Sequence, residues 1–193
     1  MCYLANLNSI YIKPALEHKV NTLKPNITND MKTLIAYSTT HGCTEKTAYE
    51  LKDFLEGEIQ ICNLKKDKIP TLEKFQRVII GGSIHAGQMQ KKVKNFCMNN
   101  LEELKTKDLG LFICCMEKGE TAQKQLNDAF PPELLKVSKI STSFGGEFNF
   151  EKMNFFKKLI VKKVAHVQES TSNIDHAEIK NFSYQMEKIS DLN

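Results

Sequence analysis

The apolar run Thr33-Leu34-Ile35-Ala36-Tyr37 ends in a hydroxyl-rich turn, Ser38-Thr39-Thr40-His41-Gly42-Cys43-Thr44, which leads at once into a stretch with helical periodicity. A strand that turns directly into a helix is the repeating unit of chains whose alternating strands and helices build a parallel sheet with helices on both faces. The turn has chemical consequences too. The first N–H groups of the helix have no acceptor within it, and the helix dipole favours an anion beside them. Side-chain hydroxyls around Gly42 add donors without adding charge. The turn is expected to cradle a phosphate, unless it does no more than cap the helix.

The same alternation continues along the chain. After the strand at 32–37, Ala48, Leu51 and Leu55 share one face of a helix over 43–56, with Gly57 as its stop. Ile59, Ile61 and Leu64 alternate as an edge strand does, and Arg77-Val78-Ile79-Ile80-Gly81-Gly82 has the continuous apolar character of a central strand. A helix is predicted over 88–104 on the stripe Val93, Phe96, Cys97, Leu101 and Leu104, followed by a fourth strand at 109–115. A helix at 120–129 ends before Pro131-Pro132, and a fifth strand runs from Ile140 to Phe144, closed by Gly145-Gly146. The last helix starts near a capping box at Ser172-Asn173-Ile174-Asp175 and buries Ile179, Phe182, Met186 and Ile189. Such a sheet binds ligands at the carboxyl ends of its strands, beside the point where strand order reverses. The turns at 38–44, 82–90 and 114–120 are therefore expected to converge.

Composition closes off several function classes. A chain of 193 residues, 41% hydrophobic and 26% charged, has room for one domain with a substantial core. Lys157, Lys158, Lys162 and Lys163 interrupt the longest apolar stretch well short of the ~18 residues a membrane span needs. The N-terminus lacks the pattern of a secretory signal, so a cytoplasmic location is expected. The six cysteines, at 2, 43, 62, 97, 114 and 115, show no CxxC or Cys/His spacing of a metal site and are expected to be reduced, with no metal bound. A net charge of +4 with scattered lysines, and no nucleic-acid-binding motif, argues against nucleic acid as a partner. Residues 1–30, with Pro14 and Pro25, read as an N-terminal extension; Met31 is itself a plausible start, and 31–193 as the domain.

The first loop and the strand pattern together resemble the flavodoxin-like proteins. The resemblance implies a three-layer α/β sandwich, with a five-stranded parallel sheet of order 2-1-3-4-5 and helices on both faces, and FMN as cofactor. It extends to Met31-Lys32-Thr33-Leu34-Ile35, to Arg77-Val78-Ile79-Ile80-Gly81-Gly82-Ser83-Ile84 and to Gly87. The first loop is one residue longer before its glycine than the commonest form, as in the branch that resembles the menaquinone-dependent protoporphyrinogen oxidases.

By this resemblance Ser38, Thr39, Thr40, His41, Gly42, Cys43 and Thr44 would hold the FMN phosphate. Ser83, Ile84, His85, Ala86 and Gly87 would meet one side of the ring, and Cys115, Met116, Glu117, Lys118 and Gly119 the other. The family often stacks Trp or Tyr on the ring, whereas this chain has no Trp and neither ring loop has an aromatic at that place. His85 is the candidate catalytic residue, either hydrogen-bonding flavin or substrate or simply lying exposed in its loop.

Between the fifth strand and last helix lies a basic, aromatic insertion at about 147–168. Its residues Met153, Phe156, Ile160, Val164 and Val167 recur at helical spacing, with Lys158 and Lys162 opposite. It suits peripheral contact with an anionic membrane surface, docking of a partner, or packing on its own domain. The first expectation for function is an FMN-dependent oxidoreductase that oxidises protoporphyrinogen IX and passes electrons to menaquinone. The alternatives are an electron carrier serving redox proteins, with no dedicated organic substrate, and a module that has lost FMN. Oligomeric state is not legible.

Overall fold

The computed structural model describes residues 31–148 and 170–188. The expected N-terminal extension, nearly all of the insertion and the predicted core position Ile189 lie outside the described residues.

Five strands form the parallel sheet: β1 (Lys32–Ser38), β2 (Glu58–Asn63), β3 (Arg77–His85), β5 (Asp108–Cys114) and β6 (Ile140–Ser143), in the order β2-β1-β3-β5-β6. Counted among parallel strands, this is the expected 2-1-3-4-5. A short β4 (Gln88–Met89) pairs antiparallel with the end of β3, and β7 (Glu147–Phe148) pairs with β8 (Thr171–Ser172) in a separate two-stranded ladder. The helices are α1 (Cys43–Phe54), α2 (Lys91–Asn99), α3 (Leu101–Leu104), α4 (Gly119–Ala129), α5 (Pro132–Val137) and, after the insertion, α6 (His176–Glu187).

Successive side chains of a strand point to opposite faces, and here both faces are covered. Leu34, Ala36, Val78, Ile80, Leu109, Leu111 and Ile113 pack with Val93, Phe96, Leu126 and Leu134. Ile35, Ile79 and Phe112 pack on the other side with Ala48, Leu51, Phe144, Ile179, Phe182 and Met186. Within that second layer Phe112 stacks on Phe144 at 4.5 Å between centroids, and Phe182 meets Phe144 edge to face at 5.3 Å. Central strands covered on both faces explain the unbroken apolar runs of the sequence.

Several boundaries differ from the sequence-based expectation. The helix predicted over 88–104 begins only at Lys91, because residues 88–89 fold back on β3, and it is broken at Asn100. There the Asn100 side chain donates to Phe96 O at 2.8 Å, capturing a carbonyl at the end of α2. Pro131-Pro132 ends α4 as expected, yet Pro132 also opens α5, since its fixed φ suits the first helical turn. The expected capping box at 172–175 is not formed: Ser172 pairs with Glu147 in β8, and Asp175 caps α6 by accepting from Glu178 N at 2.9 Å.

At the edge opposite the strands' carboxyl ends, Arg77 is 2% exposed. Its guanidinium donates to Glu187 Oε1 at 2.7 Å and to Met186 O at 2.9 Å, and lies 3.9 Å from Asp108, which also takes Lys139 at 2.7 Å. This network fastens the end of α6 to β3 and β5.

Strand register sets up the other edge. Ser38 lies beside Gly82, Gly82 beside Ile113, and Ser83 beside Cys114. The turns after β1, β3 and β5 therefore leave the sheet side by side.

Candidate functional site

Gly42 adopts φ 93°, a left-handed conformation that side-chain-bearing residues resist, and it sets the entry to α1. Lys46 N donates to Gly42 O at 2.9 Å, so the N–H groups of Cys43, Thr44 and Glu45 precede the first N–H with a helical acceptor and face the turn. Thr39 Oγ1 accepts from Gly42 N at 3.0 Å and closes the loop from inside. Ser38 and Thr44 are fully buried; the Ser38 hydroxyl has no hydrogen-bond partner, and the Thr44 hydroxyl is turned toward the Cys114 thiol. A buried hydroxyl without a partner is costly, which fits a site shaped for an anion's oxygens.

Below the loop, Tyr37 donates to Glu45 at 2.7 Å and accepts from Asn63 Nδ2 at 3.4 Å. Glu45, in the first turn of α1, is thus held from the side of β2. Burial, together with the Glu45 carboxylate, pushes the Tyr37 hydroxyl well above the ordinary tyrosine range.

Two residues absent from the sequence-based site complete the first loop. Lys65 Nζ donates to Thr39 O at 2.8 Å and to Thr40 Oγ1 at 3.2 Å, and Gln90 Nε2 donates to Thr40 Oγ1 at 2.6 Å. Lys65 is aimed by an Asn63 turn, in which Lys65 N donates to Asn63 Oδ1 at 3.0 Å while Asp67 N donates to Asn63 O. Neither residue belongs to a recognisable motif. The sequence signals were that Lys65 follows an edge strand on the ligand side and that Gln90 ends the 82–90 turn expected to converge on the site.

The second turn is a hairpin, not an open loop. His85 pairs with Gln88 and Ile84 with Met89, and the two tip residues, Ala86 and Gly87, have φ 49° and 74°. Positive φ at both central positions is what a tight two-residue hairpin requires. Ser83 and His85 Nε2 are hydrogen-bonded at 3.1 Å, and the His85 ring meets the His41 ring edge to face at 5.8 Å, which brings the first two loops together. Ile84 packs its side chain into the core, leaving its backbone at the edge. His85, Ala86 and Gly87 are exposed.

In the third turn, Cys115 N is anchored to Gly145 O at 2.9 Å. The Cys115 thiol turns into the core beside Ser143 Oγ, at 3.3 Å, so only its backbone borders the site. Met116 is half-buried, and Glu117, Lys118 and Gly119 are exposed. Cys114 points to the opposite face, next to the first loop, with its thiol 3.4 Å from Thr47 Oγ1. Cys43 and Cys114 share one buried pocket; hydrogen bonding to Cys114 and burial push Cys43 up, while the same contact, with Thr47, holds Cys114 down.

An open, doubly wound sheet with a hydroxyl-rich turn at its switch point, flanked by two further loops, defines an α/β domain of the flavodoxin class. Residues 34–175 match the flavodoxin domain family, and the chain belongs to that family. FMN is the cofactor of that family, and the unpartnered Ser38 hydroxyl at the end of β1, with the first N–H groups of α1, fits its phosphate.

Among solved structures, the chain is similar to a short-chain flavodoxin associated with a non-canonical PDU bacterial microcompartment, at 12% identity and TM-score 0.53, over 81% of this chain and 96% of that one. A flavodoxin from the domain Archaea aligns at 12% identity and TM-score 0.50, over 82% and 100%. The rubredoxin oxygen:oxidoreductase of Desulfovibrio gigas aligns at 17% identity and TM-score 0.50, over 82% of this chain but only 35% of that protein, so the chain spans about a third of its length. Likenesses at this distance establish the fold. A comparison with curated protein sequences finds no match.

Proposed function

We propose that this domain is an FMN-carrying electron-transfer module, taking electrons from one redox protein and handing them to another. The observation that carries this reading is the form of the ring-side loops. Both end in exposed tips, His85-Ala86-Gly87 and Glu117-Lys118-Gly119, which leave that edge of the site open to a docking protein. The flavodoxins that align over nearly their whole length support the same reading at the level of fold.

Bound FMN supplies the redox chemistry, and the protein supplies binding, orientation and electrostatics. Ser38, Thr44 and the first N–H groups of α1 would hold the phosphate, with Thr39 keeping the turn closed and Gln90 and Lys65 bracing Thr40. The hairpin 83–88 and residues 115–119 would flank the ring. Ser83 fixes the His85 imidazole at its Nε2, which places a proton donor or acceptor on the rim. The five described cysteines are free thiols, which suits a reducing compartment.

Oxidation of protoporphyrinogen with a quinone as acceptor is the narrower reading. What supports it is the longer first loop and the absence of an aromatic from the ring loops, which would leave a ring face uncovered for a flat substrate. The comparisons reach only the broader flavodoxin level. No helix among the described residues is long and apolar enough to cross a membrane. Contact with a membrane surface or with menaquinone would fall to the insertion, outside the described residues.

The test is anaerobic reduction of the FMN-loaded protein by NADPH and a flavodoxin reductase, followed by mixing with oxidised cytochrome c. A carrier is expected to discharge its electrons stoichiometrically to the cytochrome.

A further inference from the structure

Lys65 is the feature of the first loop that neither the motif nor the fold requires. It arises outside that loop, after β2, and is directed there by the turn that Asn63 and Asp67 form. Its ammonium makes two hydrogen bonds to the loop, to Thr39 O and Thr40 Oγ1. Apart from the His41 imidazole, the loop offers an anion neutral donors: side-chain hydroxyls and the first N–H groups of α1. The nearby Lys46, on α1, is engaged by Glu147 at 3.3 Å. Glu45, the carboxylate in the first turn of α1, is tied to Tyr37. A dianionic phosphate bound at Ser38 and Thr44 would thus have Lys65 as a cation already attached to the wall of its cradle.

We propose that Lys65 is a specificity-determining residue for the phosphorylated form of the flavin, bracing the Thr39-Thr40 segment and adding positive charge beside a phosphate cradle whose hydroxyl and N–H donors are neutral. This rests on the FMN reading of the site. A charge held by hydrogen bonds on a solvated rim favours the ligand that carries the phosphate, and salt screens that effect. A purely structural brace would affect any ligand that needs the loop, charged or not.

The experiment compares FMN and riboflavin binding to the full-length apoprotein by flavin fluorescence, for the wild type, K65M and K65R, at low and high salt. FMN affinity is expected to fall about three- to tenfold in K65M and to recover largely in K65R. Riboflavin affinity is expected to stay unchanged, and the salt dependence of FMN binding to flatten in K65M. Equal weakening of FMN and riboflavin, or an unchanged FMN affinity, would overturn the role of Lys65 while leaving the FMN site intact. Failure of the wild type to bind FMN at all would instead overturn the FMN reading itself.

Discussion

The imidazoles of His41 and His85 meet edge to face, with their centroids 5.8 Å apart and their planes at 79°. His41 belongs to the turn after β1 and His85 to the hairpin after β3, so this contact couples the two loops proposed to hold the phosphate and to border the ring. Replacing His85 with Ala removes the ring contact and the Ser83 hydrogen bond from an exposed position. FMN affinity is expected to fall by less than about tenfold, with the melting temperature shifted by no more than about 2 °C. Equilibrium titration and calorimetry measure the two.

Ser38 separates binding from folding. Its hydroxyl is buried and unpartnered, so S38A is expected to leave the apoprotein as stable as the wild type or slightly more so. The same change should weaken FMN binding about tenfold or more, because a hydrogen bond to the charged phosphate is lost. Urea unfolding of the apoprotein and FMN titration of the same samples would show the opposed effects.

Gly42 at φ 93° is expected to tolerate no side chain without strain. G42A should destabilise the protein by about 1–2 kcal/mol and disturb the N–H groups that open α1. Chemical denaturation gives the first quantity and FMN titration the second.

Tyr37 gives a pH signature. Its folded-state ionisation lies above the ordinary tyrosine value, because of burial and the adjacent Glu45 carboxylate. The unfolded chain therefore loses this proton first as pH rises. The contribution is complete below about pH 10 and declines through the alkaline range above it. In Y37F the decline between about pH 10 and 11 should be shallower than in the wild type, with stability at neutral pH lower by about 1 kcal/mol for the lost hydrogen bond.

The buried thiols should be inert in the folded protein. Burial pushes Cys97 up to about 12, and Cys43 is also raised. Alkylation at pH 8, followed by mass spectrometry, is expected to be slow at both positions in buffer and rapid in denaturant.

Much of the scaffold was legible because it depends on local pattern. The apolar runs of β1, β3 and β5 mark strands covered on both faces, and the stripe through Ala48 and Leu51 marks the buried side of α1. The strand, turn and helix around residues 38–44 were legible for the same reason, since these residues are contiguous, and the phosphate role proposed for them follows from that succession. Lys65 and Gln90 were not, because their role depends on how β2 and α2 stand beside β1, which only the assembled sheet fixes. The hairpin at 84–89 was hidden because its tip places Ala86, not Asn or Gly, in a positive-φ position. Which of Cys114 and Cys115 faces which layer was not legible either: Cys115, the first residue past β5, turns its thiol toward Ser143 in the core.

The most direct measurement is a paired anaerobic assay on one FMN-loaded preparation. In one arm the reductase-reduced protein is mixed with cytochrome c in a stopped-flow instrument. In the other, the oxidised protein is given protoporphyrinogen IX and menaquinone, with free FMN as control. Stoichiometric electron delivery in the first arm, with no porphyrin formed above control in the second, is the result expected of an electron-transfer module. Sustained porphyrin formation above the FMN control, or reduced protein that passes no electrons to the cytochrome, would contradict it.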